Sequence, residues 1–201
     1  MAEGLRKLVE TQSDMKVVAV VENGSEAVRR TTENAPDVIL MDIAMPVLNG
    51  TEATRIIRER HPQTRVVMLS AYTDSVHVCR ALQAGAMGYL AKKSVAKEVI
   101  DAIRVAHNGR HYLGGKLTEG LIDHVVHKAA SDDPLLRLSS RERQVLQMLA
   151  EGNSSANIAT ALSLSPKTVE TYRARMMEKL DLDDFASLIR FAIQHGITPP
   201  E

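Results

Sequence analysis

The sequence SPKTVE at residues 165–170 decides the fold of the C-terminal part of this 201-residue chain. Ser165 can accept a hydrogen bond from a free backbone N–H at a helix start, and Pro166 suits the first helical position, where its missing N–H costs nothing. A helix is therefore predicted to begin at Pro166. Because two shorter helices are predicted just before it, the segment has the order of a helix-turn-helix motif.

The two preceding helices also carry clear start signals. The sequence SSRE at residues 139–142 is a capping box, in which the side chains of Ser139 and Glu142 satisfy each other's backbone N–H groups. Gly152 is placed to end this helix. A serine at position 154 or 155 then caps a second helix, and residues 163–165 turn the chain. The apolar positions of the second helix are Ile158, Ala159 and Leu162.

The helix predicted from Pro166 has two unlike faces. Its apolar face should join the core and consists of Val169, Tyr172, Met176 and Leu180. Its opposite face is polar and consists of Lys167, Thr171, Ala174 and Glu178, with Thr168, Glu170 and Arg175 on the flanks. A helix of this width fits the major groove of duplex DNA, where polar side chains meet base edges. The alternative is a small helical bundle with a solvated charged face.

A last helix is predicted from Asp183 to Gly196. Its apolar residues exceed what a three-helix core needs, so some of them could serve a dimer. These residues are Phe185, Leu188, Ile189, Ala192 and Ile193.

The N-terminal part alternates between helical and strand patterns. After a helical segment near residues 2–10, strands are predicted at residues 15–21, 37–41, 65–70 and 88–91. Helices are predicted between and after them at residues 26–34, 51–59, 75–84 and 95–107, and a turn at residues 111–115. This alternation predicts an α/β domain with a parallel sheet covered by helices. We expect domains at residues 1–115 and 138–201, joined by residues 116–137, which include a short helix at 117–127.

Composition excludes several classes of protein. No apolar run approaches the ~18 residues of a membrane span, and the N-terminus has no signal-peptide core. A single cysteine, Cys79, excludes an internal disulfide and is consistent with a reducing cytoplasm. The 25 basic residues are balanced by 25 acidic ones, so overall charge does not indicate nucleic acid. Any phosphate-binding surface must come from local placement of basic side chains.

Three polar residues follow successive predicted strands. Asp42, Ser70 and Lys92 come at or just after strand ends, and the carboxyl ends of parallel strands meet at one edge of a sheet. They combine a carboxylate nucleophile, a hydroxyl and a fixed cation. A phosphoryl group on Asp42 would need such partners for its oxygens. Taken singly, they could equally be a turn residue, a helix cap and a solvent-exposed lysine.

The C-terminal part contains four characteristic sequences: LSSRERQVL at 138–146, AEG at 150–152, Ile158-Ala159 and SPKTVETYR at 165–173. With these it closely resembles the LuxR-type output domain of NarL/FixJ-family response regulators. The resemblance implies that residues 166–180 form a DNA recognition helix. Family members often have a basic residue at position 170 and histidine at 172, so the bases read stay open. The implied DNA-binding residues are Ser165, Lys167, Thr168, Glu170, Thr171, Tyr172, Arg173, Arg175 and Lys179.

The N-terminal part contains VILMDIAMP at 38–46, Gly50, LSAY at 69–72 and GAMGYLAK at 85–92. With these sequences it resembles the receiver domain of the same proteins, whose fold is flavodoxin-like. The resemblance implies that Asp42 is the phosphoacceptor, that Ser70 and Lys92 sense the phosphate, and that Tyr89 changes rotamer on activation. Tyr89 could instead be an ordinary core residue.

The chain departs from the receiver pattern at its start. A receiver begins with an apolar strand ending in two acidic residues, whereas Met1 stands where the following helix has begun. The acidic pair, which would hold Mg²⁺ together with Asp42 and the Ala44 carbonyl, has no counterpart. A misassigned start codon, a shortened chain or an altered receiver that works without phosphate would each explain this. Because Mg²⁺ neutralises the transferring phosphoryl group, we expect weak or absent labelling of Asp42 by acetyl phosphate.

The sequence thus predicts a cytoplasmic, homodimeric response-regulator transcription factor. The resemblance implies promoter DNA and a sensor histidine kinase as partners, with no role for a membrane. An alternative is a phosphorylation-independent DNA binder whose front half is an oligomerisation scaffold. A phosphatase with Asp42 as nucleophile is disfavoured, because such enzymes commonly need a second acid where Ala44 stands. We therefore predict no enzymatic activity.

Overall fold

The computed structural model describes residues 2–94, 96–114 and 133–197. An α/β domain precedes an all-helical domain, which confirms the predicted fold class. The first domain contains helices α1 (Ala2–Glu10), α2 (Gly24–Asn34), α3 (Gly50–Arg60), α4 (Ser75–Gln83) and α5 (Ala96–His107), and strands β1 (Val38–Asp42), β2 (Arg65–Ser70), β3 (Gly88–Ala91) and β4 (Tyr112–Leu113). The second contains a 3₁₀ helix (Pro134–Arg137) and helices α6 (Ser140–Ala150), α7 (Ser155–Leu162), α8 (Pro166–Leu180) and α9 (Phe185–Gln194). The predicted helix at 117–127 lies outside the described residues.

The described sheet is parallel, with strand order β1-β2-β3-β4. The register pairs Asp42 with Leu69 and Ser70 with Ala91, so the carboxyl ends of β1, β2 and β3 lie at one edge. Apolar side chains cover both faces of the sheet. Met41, Met68 and Ile57 belong to one core cluster, while Val67 and Leu90 belong to another that α5 completes.

Two predictions for the first domain were wrong. Residues 15–21 have strand composition but form no strand, and Val18 and Val20 are about half exposed, at 52% and 51%. A strand needs a partner for its backbone groups, and none of the described strands pairs with this segment. The predicted turn at 111–115 contains a two-residue strand, because Tyr112 pairs with Gly88 in parallel register. Two residues are too few to produce an alternating pattern in the sequence.

The helical domain follows its capping signals. The Ser139 Oγ accepts from the Glu142 N–H at 3.3 Å, and Glu142 accepts from the Ser139 N–H at 2.7 Å. Ser154 caps α7. Ser165 accepts from the Thr168 N–H at 3.1 Å, so α8 begins at Pro166 as predicted. The last helix begins at Phe185, two residues later than predicted, because Asp184 serves as its cap.

The core of the helical domain draws on all four of its helices. Leu146, Ile158, Met176 and Leu188 are fully buried, one from each of α6 to α9. Ile193 also lies on α9 but is 57% exposed. One face of α9 therefore packs against the core, and the other is exposed to solvent.

We expect Leu188→Ala to lower the free energy of unfolding by about 2–5 kcal/mol, because it removes buried methylene groups and leaves a cavity. The control variant Gln194→Ala, at an exposed position of the same helix, should change it by less than about 0.5 kcal/mol. Urea denaturation of the full chain at one protein concentration measures both. Equal losses would contradict the packing described for α9.

Candidate phosphoacceptor edge and nucleic-acid interface

Asp42 ends β1 at the carboxyl edge of the sheet and contacts the predicted cation. Lys92 Nζ lies 2.6 Å from one carboxylate oxygen of Asp42, and the other oxygen accepts from the Ala44 N–H at 3.1 Å. Gly50 packs directly behind this residue: a Cβ at Gly50 would lie 2.0 Å from the Asp42 backbone oxygen. Only glycine therefore allows α3 to start this close to β1.

Ser70 and Tyr89 are both buried next to the same loop. The Ser70 Oγ accepts from the Tyr72 N–H at 2.9 Å, and the Tyr89 hydroxyl donates to the Tyr72 carbonyl at 2.7 Å. Burial raises the pKa of Tyr89 to about 12, although the hydrogen bond with Ser70 acts in the opposite direction. Both side chains thus fix the backbone at Tyr72, and the ion pair at this edge joins Asp42 to Lys92.

The oxygen donors at this edge do not make a Mg²⁺ site. The receiver resemblance implies a Mg²⁺ site with three carboxylates, that of Asp42 and those of an acidic pair, together with the Ala44 carbonyl. In the part of the chain that the structure describes, no group of three or more His, Cys, Asp or Glu side chains gathers around a possible metal position. The Asp42 carboxylate is, moreover, already in contact with Lys92. The residues described here do not fit the metal that the receiver resemblance implies.

The polar face of α8 lies open to solvent. Lys167, Glu170, Thr171, Ala174, Arg175 and Glu178 are all exposed, as the helical pattern predicted. A shallow concave surface on this face brings together most of the predicted contact residues. It is lined by Ser165, Lys167, Thr168, Thr171, Tyr172 and Arg175.

Lys179, Arg173 and Tyr172 are among the predicted DNA-binding residues that make contacts within the protein. Lys179 Nζ lies 2.7 and 2.9 Å from the two carboxylate oxygens of the buried Glu142. Arg173 lies over the Phe185 ring, 4.9 Å from its centroid. Tyr172 packs against the helical core. Burial would raise the pKa of Glu142, but the bonds from Lys179 and Ser139 lower it overall.

Sequence reasoning missed a polar contact between the two domains. The fully buried Gln147 of α6 accepts from the Asn49 N–H at 2.8 Å and donates to the Met45 carbonyl at 2.8 Å. Glu151 accepts from the Val47 N–H at 3.4 Å, and Val47 has the left-handed backbone angle φ of +68°. Helix α6 therefore holds the loop that directly follows Asp42. The signal in the sequence was Gln147 itself, a polar residue within an apolar helix stripe.

A buried ion pair reinforces this contact. Arg143 Nε and Nη2 lie 2.5 and 3.0 Å from the two carboxylate oxygens of Glu52. The Ser140 hydroxyl donates to the same carboxylate at 2.9 Å. Glu52 and Arg143 are 3% and 9% exposed, so the pair is nearly dry. No local pattern in the sequence indicated that these two residues meet.

A second ion pair joins α4 to the helical domain. Arg80 donates to both oxygens of Asp133, at 2.6 and 2.9 Å, and to the His195 carbonyl at 2.6 Å. Arg80 Nη2 also lies 3.1 Å from His195 Nδ1. Because a guanidinium can only donate, Nδ1 must be unprotonated in this contact. Burial and the Arg80 charge lower the pKa of His195, while Asp133 acts in the opposite direction.

We expect the contact between the domains to weaken as the pH falls below about 6.5, the ordinary pKa of histidine. Since the pKa of His195 is lowered, the docked state binds fewer protons, so docking is fully favoured above that pH and weakens as His195 protonates. The protection factor of the Asn49 amide, measured by hydrogen exchange at pH 7.5 and 5.5, should fall severalfold. His195→Gln keeps an acceptor for Arg80 without titrating and should abolish the fall, whereas His107→Gln on the exposed side of α5 should not. An Asn49 protection factor that stays constant in the unchanged protein would contradict this assignment.

Both parts of the chain match known protein families. Residues 1–104 match the family described as "Response regulator receiver domain", and residues 136–192 match "Bacterial regulatory proteins, luxR family". The chain is 35% identical over 198 residues to the response regulator UvrY of Escherichia coli K12, covering 98% of this chain and 91% of that protein. It is 35% identical over 197 residues to the oxygen regulatory protein NreC of Staphylococcus haemolyticus, covering 95% and 91%.

Solved structures agree with the architecture. A two-component response regulator of the LuxR family from Aurantimonas sp. SI85-9A1 is 32% identical, with a TM-score of 0.58, and the match covers 62% of this chain and 89% of that one. The RcsB response regulator of Salmonella typhimurium shares the fold at 21% identity, with a TM-score of 0.54 over 96% of this chain and 92% of that one. The chain belongs to the response-regulator family and combines a receiver domain with a luxR-family regulatory domain.

Proposed function

We propose that this protein is a transcription regulator that binds promoter DNA through α8 as a homodimer in the cytoplasm. The observation that supports this most directly is the open polar face of α8 in a domain of the luxR regulatory family. The contacts between the domains involve the 3₁₀ region, α6 and the end of α9, and leave that face exposed. We assign the receiver to residues 1–115, the connection to 116–137 and the DNA-binding domain to 138–201. We assign no enzymatic activity to either domain.

Two of the basic side chains on α8 are placed where they support the DNA assignment. Lys167 and Arg175 are exposed and line the concave surface together with Ser165 and Thr168. Their positions suit phosphate contacts, which fix a protein on duplex DNA, while Thr171 between them can reach base edges. Lys179, Arg173 and Tyr172 make the internal contacts described above. We therefore propose that these three support the helix from the flank of the interface.

The exposed apolar residues of α9 support the proposed homodimer. Ile193 is 57% exposed and Phe185 40%, although both lie on a short apolar helix.

Among the described residues, none of the helices has both the length and the apolar character that a membrane span needs.

We expect Lys167→Ala and Arg175→Ala each to weaken DNA binding and to reduce the dependence of log Kd on log salt concentration by about one counterion. Gel-shift titrations at several salt concentrations, with duplexes enriched by the full chain from random DNA, measure both effects. Lys16→Ala, in the receiver, is the matched loss of one positive charge and should change neither. Binding that is unaltered in both α8 variants would remove these residues from the interface.

We further propose that the receiver controls DNA binding through phosphorylation of Asp42. Membership of the receiver family implies a histidine kinase as the partner for this step. The Lys92 ammonium group would stabilise the negative charge of a phosphoryl group on Asp42. The Ser70 hydroxyl would bind a phosphoryl oxygen after giving up its hydrogen bond with the Tyr72 N–H. The Tyr89 side chain would then move as well, because its hydroxyl is bonded to the Tyr72 carbonyl. The loop after Asp42 contacts α6 through Gln147, which provides a short physical route from this edge to the DNA-binding domain.

Control without phosphorylation is the second candidate. The ion pair between Lys92 and Asp42 already neutralises the carboxylate, and the described donors do not fit Mg²⁺. Both observations favour a receiver that acts as a docking and oligomerisation scaffold. Under this alternative, Asp42→Asn should leave the oligomeric state and the DNA affinity unaltered.

If the receiver acts without phosphorylation, as in the second candidate, we expect intact-mass spectrometry after incubation with acetyl phosphate to show far less than one phosphoryl group per chain, with or without Mg²⁺. The reason is that the described residues lack the group of three carboxylates that the receiver resemblance implies for Mg²⁺, which neutralises the transferring group, and that Asp42 is paired with Lys92. The Asp42→Asn variant gives the background from other sites. Stoichiometric, Mg²⁺-dependent modification that disappears in Asp42→Asn would establish phosphorylation and overturn the argument from the donor set.

A further inference from the structure

Glu170 is an unusual residue to find on the polar face of α8. It lies one turn from Lys167 and one turn from Ala174, so it shares their face, and its side chain is 51% exposed. A carboxylate close to DNA is repelled by the phosphates, which dominate the field of the duplex. If α8 binds DNA as proposed above, Glu170 therefore needs a compensating partner in the complex.

Two contacts hold the Glu170 carboxylate in place. The Ser155 hydroxyl at the start of α7 donates to one oxygen at 2.5 Å. Arg173 Nη1 lies 3.3 Å from the other oxygen, and the same guanidinium rests on the Phe185 ring of α9. An exposed glutamate normally samples many rotamers, whereas these two contacts, one from α7 and one from α8 itself, favour one position of this carboxylate. Such fixing reduces the entropy that a contact with DNA would cost.

The fixed carboxylate still has acceptor capacity directed to solvent. An ionised carboxylate offers about four lone-pair sites and no donor. Ser155 and Arg173 use one oxygen each, which leaves further sites on both. Glu170 can therefore only accept a hydrogen bond from a base.

The major groove offers few donors to such a group. Guanine presents the acceptors N7 and O6 there, and thymine presents the acceptor O4 and a methyl group, so both repel or exclude a carboxylate. Adenine has the N6 donor, but its N7 acceptor lies beside it. Cytosine presents the N4 donor without an adjacent acceptor on the same base. Of the four bases, cytosine is the best match for Glu170.

We propose that Glu170 is a specificity-determining residue that selects cytosine in the target DNA by accepting a hydrogen bond from the N4 amino group. This inference deepens the proposed function, since it rests on α8 entering the major groove. Ser155 and Arg173 are the positioning residues that hold the carboxylate. Lys167 and Arg175, on the same helix, supply affinity for phosphates that does not depend on sequence.

A purely structural role for Glu170 has different consequences. If the carboxylate served only to bind Ser155 and to pair with Arg173, its removal would change stability. It would also raise affinity for every DNA sequence by the same factor, because one repulsive charge is lost. Base preference would stay the same. The two roles are therefore separated by measuring preference rather than affinity alone.

The experiment is selection of random duplex DNA by the full chain, with the unchanged protein, Glu170→Gln, Glu170→Ala and the control Glu178→Gln compared side by side. Glu178 is a second exposed acid on the polar face of α8. We expect one position of the selected sequence to be cytosine for the unchanged protein and for Glu178→Gln. Glutamine can donate and accept, so Glu170→Gln should shift that position to adenine. Glu170→Ala should lose preference there, and all other positions should be retained.

Binding to a single enriched duplex gives the quantitative test. Replacing the cytosine and its paired guanine by thymine and adenine should weaken binding of the unchanged protein roughly tenfold to a hundredfold. The same replacement should weaken Glu170→Ala less than about threefold. Urea denaturation of each variant confirms that it is folded under the conditions of selection.

The results separate the inference from the function on which it rests. If the unchanged protein enriches no sequence at all, the proposed sequence-specific DNA binding fails and the role of Glu170 falls with it. If it enriches a sequence that Glu170→Ala and Glu170→Gln leave unchanged, only the role of Glu170 is overturned. A sensitive position occupied by any base other than cytosine also overturns it.

Discussion

The buried ion pair between Glu52 and Arg143 sets how the two domains meet. Its two short contacts, 2.5 and 3.0 Å, join α3 of the receiver to α6 of the helical domain where water hardly enters. Removing one partner of such a pair leaves an unpaired buried charge, at a cost of about 3–5 kcal/mol, whereas the intact pair adds little net stability. The main effect of the pair is therefore on the orientation of the two domains. In this orientation Gln147 contacts the loop after Asp42, and Arg80 contacts the end of α9.

This arrangement has a clear implication for regulation. A receiver that covered the recognition helix could control DNA binding by steric exclusion, but here the polar face of α8 remains open. Control must then act on something other than access to that face. The end of α9 is held by Arg80, and the exposed apolar residues Phe185 and Ile193 lie on the same helix. The contacts between the domains therefore lie closer to the proposed dimer surface on α9 than a steric block of α8 would require.

Local signals in the sequence predicted most elements correctly. Ser139, Ser154 and Ser165 cap three helices because each supplies an acceptor within three residues of a free N–H, and such contacts need no distant partner. The segment at 15–21 failed for the opposite reason: its residues favour a strand, but pairing depends on a neighbour elsewhere in the chain. Asp42 and Lys92 could be placed at one edge from topology alone. The contacts of Lys179 with Glu142 and of Gln147 with Asn49 join residues far apart in sequence, which no periodic pattern reveals.

The backbone of Val47 gives the docked arrangement a built-in weakness. Valine is branched at Cβ, and holding it at φ +68° costs on the order of 1–2 kcal/mol, which its surroundings must offset. Part of that compensation comes from Glu151 in the other domain, through its bond to the Val47 N–H. When the domains separate, Val47 loses the bond to Glu151 and with it that part of the compensation. The strained backbone of Val47 therefore offsets part of the free energy that the contact between the domains supplies.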